Sequence, residues 1–262
     1  MVKIEKYFTV FKIAAIHALK NYKALMGLSI FLVTCLVIFA HLWKIAAAKA
    51  GVVHLNPEQQ RGYIAINERV LIYITDVHDE MEQDLRSGRL AYLIPRPISY
   101  LGCTFSEALG TLSVNLLVLG LVTFIFTWFV AGSLPFHPIG LLFAILFGLL
   151  SGCVALIFLM MIGLSAFWLQ EVSPFHWLWE KLLFMLGGLI LPLAVYPQWM
   201  QKIAYLTPFP AILGERSALA IDFNGYQITL VAISLVGWGV IGIIGLFFIY
   251  RRGLRILNIE GG

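Results

Sequence analysis

The chain has 262 residues, of which 60% are apolar and only 12% are charged, with a net charge of +4 and a mean hydropathy of +0.89. Soluble domains carry about 25% charged residues, so this chain could not cover a globule of its size with polar surface. The composition therefore excludes an ordinary soluble domain and indicates an integral membrane protein, with no soluble catalytic domain expected.

Five apolar stretches are long enough to cross a hydrocarbon core about 30 Å thick, which takes about 20 helical residues. They lie near residues 24–43, 106–131, 139–169, 179–197 and 227–250. Their apolar residues follow one another without the alternation typical of strands, which predicts helices. Tryptophans cluster near the ends of the stretches, where the aromatic belts of membrane proteins occur.

Basic residues lie at both ends of the chain, in five lysines of the N-terminal segment and in Arg251, Arg252 and Arg255. Loops that stay in the cytoplasm are enriched in Lys and Arg, so both termini are predicted to be cytoplasmic. That orientation requires an even number of crossings, and we expect the missing one at residues 57–77. The sequence thus predicts an all-α integral membrane protein with six transmembrane helices in a single domain, residues 1–262.

The predicted second crossing carries Asn67, Glu68 and Arg69 near its centre. Charge at membrane depth is costly unless protein or water surrounds it, so this helix is expected to pack against protein or a water-filled path. We therefore predict that Glu68 and Arg69 face a substrate path. A local structural ion pair, or a position near the membrane interface, is the alternative that the sequence leaves open.

Two further segments are predicted to lie at the membrane surface. Residues 1–22 place apolar side chains three and four positions apart, at Ile4, Phe8, Phe11, Ala15 and Leu19. This spacing predicts a basic amphipathic helix on the cytoplasmic leaflet, with a disordered basic tail as the alternative. Residues 198–222 contain Pro208 and Pro210, are too broken to cross, and are predicted to form a re-entrant external segment before the sixth span.

The most distinctive polar stretch is residues 78–97. Val77, Met81 and Leu85 are four positions apart and share one helical face. Acidic side chains occupy the other faces, at Asp79, Glu80, Glu82 and Asp84. Gly88 suits the C-terminal cap. The pattern predicts a short, rigid, charged helix, which is either a solvated helical loop or a docking element for a soluble partner.

An elbow is predicted after this helix, because Pro95 and Pro97 forbid its continuation. The chain would re-enter the membrane near Ser106, which is predicted to be the N-cap of the third span. The short helix would then be fixed to two membrane crossings, as a force-transmitting element requires.

Catalytic and ligand-binding motifs are absent from the sequence. It contains no G-x-x-x-x-G-K-[ST] loop for a nucleotide phosphate, and its six histidines never form an H-E-x-x-H pattern. The three cysteines, Cys35, Cys103 and Cys153, are odd in number and widely spaced, which is typical of apolar packing residues. We therefore expect no enzyme activity, no metal and no cofactor bound by this chain itself.

Several motifs resemble those of ABC-2 type transporter permeases, in particular an ABC-type transport system permease branch. The segment Gly88-Arg-Leu-Ala-Tyr-Leu-Ile-Pro-Arg-Pro-Ile-Ser99, preceded by Glu82-Gln-Asp-Leu-Arg-Ser, is similar to the region after the second span of that group. The stretch from Gly187-Gly188 through Tyr196-Pro197-Gln-Trp199 to Pro208-Phe209 resembles the group's external segment. The resemblance covers essentially the whole chain.

The resemblance implies a six-span permease with an N-terminal interface helix and a cytoplasmic coupling helix between spans two and three. The coupling helix would be Asp79–Leu85 and the elbow Leu90–Pro97, with Glu171–Trp179 as a lesser contact. The residues implied in coupling to an ATPase are Asp79, Glu80, Met81, Glu82, Asp84, Leu85, Arg86, Arg89, Pro95, Arg96 and Pro97.

The implied partners are two copies of a separate nucleotide-binding ATPase, which would hold ATP and Mg²⁺, and a second permease protomer, the same or a related chain. The implied setting is a bacterial-type inner (plasma) membrane, and no nucleic acid partner is expected. The implied function is export of a lipid, an amphiphile or a drug-like compound by alternating access. A self-contained secondary transporter or channel is the alternative. It would need ligand-binding side chains within the membrane and internal repeats, and the sequence has few of the former and shows none of the latter.

Overall fold

The computed structural model describes residues 2–50, 63, 67, 76–131, 137–189, 193, 196–221 and 223–260. Throughout these ranges the regular elements are helices, and no strand occurs. In chain order the helices are α1 Val2–Lys20, α2 Tyr22–Ala50, α3 Val77–Arg86, α4 Arg89–Leu93, α5 Tyr100–Ala131, α6 Pro138–Leu164, α7 Ser173–Leu186, α8 Gln198–Tyr205, α9 Phe209–Ile212, α10 Gly214–Ile221 and α11 Gly225–Glu260. A 3₁₀ turn, Ser165–Phe167, follows α6. The all-α prediction is confirmed for these ranges.

Four of the described helices are long and apolar enough to cross a membrane. The candidate spans are Tyr22–Phe39 in α2, Tyr100–Phe129 in α5, Pro138–Phe167 in α6 and its 3₁₀ extension, and Gly225–Ile256 in α11. They coincide with the predicted first, third, fourth and sixth crossings. Large apolar side chains point outward along them, as Ile233 does on α11, which suits helices that are solvated by lipid.

The other two predicted crossings are covered only in part. Of residues 57–77, the structure describes Tyr63, Asn67, Asp76 and Val77. The predicted fifth crossing, residues 179–197, begins within α7. The described chain then turns at Gly188, whose φ of +71° lies in the left-handed region that favours glycine. The total of six crossings therefore stays a prediction.

The third span begins earlier than predicted, because α5 starts at Tyr100 rather than near Ser106. The prediction that Ser106 is the N-cap is wrong: its hydroxyl donates to the Gly102 carbonyl within the helix, at 2.7 Å. Ser99 stands at the helix start instead, and its carbonyl accepts from the amide of Cys103 at 3.0 Å.

Packing against α1 explains the extra turns of α5. A β-carbon added at Gly102 would stand 2.7 Å from the Tyr7 ring, and one added at Gly110 would stand 2.5 Å from the Phe11 carbonyl oxygen. With 32 residues α5 is roughly 48 Å long, well beyond a hydrocarbon core of about 30 Å. Its first turns can therefore extend beyond the hydrocarbon core and pack against α1.

The predicted N-terminal helix is present, since α1 spans Val2–Lys20, and the alternative of a disordered tail does not hold. Ala14 is buried against α5, whereas Ile4, Phe8 and Leu19 are largely exposed. An exposed apolar edge on a lysine-bearing helix fits the amphipathic pattern that the sequence predicts.

The core is built around α6. Its N-terminal end packs against α10 so closely that Gly140 meets the backbone carbonyl of Leu219. Its middle packs against α11, where Gly242 leaves room for Ile157 at 2.9 Å from a hypothetical β-carbon. Its C-terminal end supports α3. α3 therefore packs directly against the most central helix of the described structure.

Candidate coupling site

The predicted coupling helix α3 lies against the C-terminal end of α6 through the face that the four-residue spacing predicts. Val77 and Met81 are buried, the latter with 0% of its surface exposed, and Leu85 packs partly buried against the core. A β-carbon at Gly163 of α6 would stand 2.9 Å from Met81 Cβ and 3.1 Å from the backbone of His78. Only a glycine permits this approach, so α3 is seated directly on α6.

Two of the acidic residues implied in coupling are committed to internal contacts. Glu82, whose side chain is 12% exposed, forms an ion pair with Arg86 and accepts a hydrogen bond from the Val172 amide at 3.3 Å. Asp84, at 17%, accepts from the Tyr100 hydroxyl at 3.2 Å and pairs with Arg89 at 3.3 Å. These carboxylates fasten α3 to the chain before α7 and to the start of α5.

The remaining polar residues of α3 form an outward-facing stripe. We call this the outer stripe, and it consists of Asp79, Glu80, Gln83, Arg86 and Ser87, all exposed. Their spacings of about three to four residues place them on one side of the helix. Of the coupling residues implied by the resemblance, those within α3 that a partner could contact directly are Asp79, Glu80 and Arg86.

The elbow follows the helix as expected. Gly88, with a φ of +68°, ends α3, and the short helix α4 then buries Leu90. Pro95, Arg96 and Pro97 lie in the exposed turn between α4 and α5. Because no regular helix continues through this turn, α3 and α5 are separate helices, connected by α4 and the exposed turn.

A cavity of about 670 Å³ opens between α3 and the beginning of α5. Its lining residues are Glu80, Met81, Gln83, Asp84, Arg86, Ser87, Arg89, Tyr100, Thr104 and Glu107. Partial burial raises the pKa of the Glu80 carboxyl above its ordinary value, and the negative charges of Glu107 and Asp84 raise it further. The cavity adjoins the outer stripe and is lined by three carboxylates and two guanidinium groups.

A histidine pair connects α3 with α7. The rings of His78 and His176 stack with their centroids 3.7 Å apart, and Asp76 lies close to both. Burial lowers the pKa of His78, and His176 lowers it further, so the neutral ring is favoured. Sequence reasoning missed this cluster because its members are on different helices and no spacing rule brings them together.

At the other end of α6, Tyr63 and Asn67 of the predicted second crossing are hydrogen-bonded to the turn after α7. Tyr63 donates its hydroxyl to the Gly188 carbonyl at 2.6 Å. The Asn67 amide donates to the carbonyls of Gly188 and Leu189, at 3.3 and 3.4 Å, and its oxygen accepts from the Ser217 hydroxyl. These buried bonds explain why a polar residue is tolerated at this position.

A second cavity, of about 550 Å³, lies beside this network. Its lining is mostly apolar with a few polar groups: Tyr63, Leu193, Tyr205, Gly214, Glu215, Ala218, Gln227, Leu230, Val231, Ile233 and Ser234. The predicted substrate-path residues, Glu68 and Arg69, lie outside the described residues. No sequence motif predicts this cavity, because its lining residues come from segments that are far apart in the chain.

The long apolar helices define a multi-pass membrane protein. The family model described as "ABC-2 family transporter protein" matches residues 63–261. The chain therefore belongs to the ABC-2 transporter family, whose permeases generally work with ATPase subunits and are typically non-catalytic. No curated protein matches this chain closely enough to count as a relative.

Proposed function

We propose that the chain is the permease subunit of an ATP-binding cassette exporter, with six crossings and both termini in the cytoplasm of a bacterial-type cell. The observation that carries the proposal is the position of α3. This helix is seated on Gly163 of α6, is held at both sides by Glu82 and Asp84, and leaves the outer stripe free. An exposed surface on a helix that packs firmly against the rest of the protein suits docking by a soluble ATPase.

The mechanism would be alternating access. Closure of two ATPase subunits on ATP would move α3, and the contacts of Met81 with Gly163 would carry that movement into α6. Asp84 would carry it to α5 through the Tyr100 hydroxyl. ATP and Mg²⁺ would be held by the ATPase subunits. A ligand drives such a change only by binding one conformation better, here the docked, closed one.

The assembly would contain two ATPase subunits and two permeases, the second being this chain or a related one. The exposed apolar surfaces of α2, α5 and α11 are extensive, and both lipid and a second protomer are compatible with them. The bilayer itself is thus the third partner in this proposal.

The substrate would be an amphiphile, such as a lipid or a drug-like compound. The 550 Å³ cavity supports this, because it combines apolar walls with Tyr63, Gln227 and Ser234. Ligand pockets of about 300–1,000 Å³ with a few convergent polar groups are the usual form of small-molecule sites. Glu68 and Arg69 remain candidates for the same path, since they adjoin Asn67, which contacts α10 through Ser217.

Reconstitution tests the proposal. The permease and its ATPase are placed in proteoliposomes with a fluorescent short-chain phospholipid as the probe, and movement of the probe is followed with ATP, without ATP, and with an imposed proton or sodium gradient. The proposal predicts movement that requires ATP hydrolysis. Movement that follows the ion gradient and is indifferent to ATP would instead identify a secondary transporter.

A further inference from the structure

The stacked rings of His78 and His176 each have one nitrogen atom, Nε2, that lies near a carboxylate. Nε2 of His78 lies 3.2 Å from a carboxylate oxygen of Asp79, and Nε2 of His176 lies 3.9 Å from one of Glu180. Each ring therefore has a carboxylate oxygen near its Nε2 atom. When a carboxylate accepts the proton of one ring nitrogen, the other nitrogen is left as a lone-pair donor.

The second nitrogen of His78 is buried without a partner. His78 is 2% exposed, and its Nδ1 has no hydrogen-bond partner among the described residues. Buried polar atoms are nearly always satisfied, so a nitrogen left in this state points to a ligand that the described residues do not supply. Donor atoms of Asp76, His78 and His176 all lie within 4.8 Å of one another.

We propose that Asp76, His78 and His176 form a binding site for a divalent transition-metal cation, with zinc as the ion that the ligand set fits best. Zinc takes imidazole nitrogen and carboxylate oxygen at about 2.0–2.2 Å in tetrahedral geometry, and a water molecule would complete the four ligands. Two imidazoles disfavour Mg²⁺ and Ca²⁺, which bind oxygen ligands.

The carboxylate of Asp79 strengthens this assignment. A metal-bound histidine almost always donates its other ring N–H to a carboxylate, a carbonyl or water, which fixes the ring and raises its basicity. Asp79 is placed to do this for His78, at 3.2 Å, whereas Glu180 lies 3.9 Å from Nε2 of His176, beyond hydrogen-bond length. The site thus has three donors and one supporting carboxylate within hydrogen-bond distance, drawn from α3 with its N-cap residue Asp76 and from α7.

Binding of the cation would link α3 to α7. Asp76 and His78 belong to the beginning of α3, and His176 belongs to the first turns of α7, so the ion would join elements that are otherwise connected by the Glu82–Val172 hydrogen bond. Binding itself does not depend on the proposed permease function. The consequence for coupling does, because a fixed α3 would respond differently to a docked ATPase.

Titration of the purified full-length protein with Zn²⁺ tests the site, with any affinity tag removed so that tag histidines do not bind the metal. Calorimetry is expected to show one ion per chain at this site, and Co²⁺ is expected to give the visible absorption bands of a tetrahedral centre. Asp76→Asn and His176→Gln each remove a ligand at a residue that is not fully buried, and each should weaken binding about tenfold or more.

The matched control is His17→Gln, which removes an exposed histidine of α1 and should leave affinity unchanged. Size-exclusion profiles and thermal midpoints of the metal-free variants check that each is folded. Two results would overturn the proposal: a folded wild-type protein that binds no more Zn²⁺ than the Asp76→Asn/His176→Gln double variant, or ligand variants that bind as tightly as His17→Gln. Loss of binding in Asp76→Asn alone, with the fold intact, supports it even where His176→Gln proves unstable.

Discussion

Met81 of α3 lies directly on Gly163 of α6, where a β-carbon would stand 2.9 Å from Met81 Cβ. The contact includes backbone atoms of His78 at 3.1 Å, so it cannot be relieved by rotating one flexible side chain. The contact between α3 and α6 therefore includes backbone atoms. It joins a partly exposed helix to the helix at the centre of the core.

Gly163→Ala is expected to push α3 away from α6 and to destabilise the protein by about 1–3 kcal/mol, as overpacking of a tight core does. At roughly 2–4 °C per kcal/mol, a thermal scan in detergent would detect this shift. Gly27→Ala in α2 is the matched control, because nothing lies within 4 Å of its added β-carbon. Equal midpoints for the two variants would contradict the seating of α3 on Gly163.

Glu80→Lys is expected to weaken ATPase docking about tenfold, because it reverses a charge on the outer stripe that steers and holds a charged partner. Binding of the purified ATPase to the permease in nanodiscs measures this, and raised salt should shrink the difference. Glu5→Lys makes the same charge change on the exposed surface of α1 and should have little effect. The prediction fails where both variants bind the ATPase like the wild type.

Tyr63→Phe is expected to lower stability by about 1 kcal/mol or somewhat more, because it removes the buried hydrogen bond to the Gly188 carbonyl. The Asn67 amide, which donates to the same carbonyl, limits the loss. Tyr92→Phe is the control, since Tyr92 is 79% exposed and should tolerate the change. A thermal midpoint for Tyr63→Phe at or above that of Tyr92→Phe would show that this hydrogen bond does not stabilise the protein.

Ser234→Phe is expected to fill part of the 550 Å³ cavity and to lower probe transport severalfold while the ATPase still binds. Val236→Phe is the control on the same helix, because Val236 is exposed on the outer surface of α11. Proteoliposome transport, normalised to the amount of incorporated protein, measures both variants. Undiminished transport in Ser234→Phe would show that the substrate does not pass through this cavity.

Local spacing predicted the inward face of α3 and the elbow that follows it. The four-residue repeat of Val77, Met81 and Leu85 indicated which face of α3 is inward, and Pro95 and Pro97 indicated the elbow. The same pattern could not distinguish the roles of Glu80 and Glu82. One is exposed and the other accepts from Val172, a residue whose proximity is set only by how α3 lies on α6.

Features made by distant segments were beyond sequence reasoning. The predicted start of α5, at Ser106, is too late, because the first turns of the helix are stabilised by packing on α1, where Gly102 meets the Tyr7 ring. The stack of His78 on His176 and the cavity beside Ser234 are likewise products of helix packing. Each needs a tertiary contact that no periodicity encodes.

The most direct test of the central claim is purification of the permease from its native membranes in a mild detergent, followed by mass spectrometry and ATP-dependent transport of the same preparation. We expect an equimolar ATPase subunit that carries a G-x-x-x-x-G-K-[ST] loop, with its retention reduced by Glu80→Lys and not by Glu5→Lys. A functional preparation that contains no such ATPase, and that moves its substrate on an ion gradient alone, would contradict it.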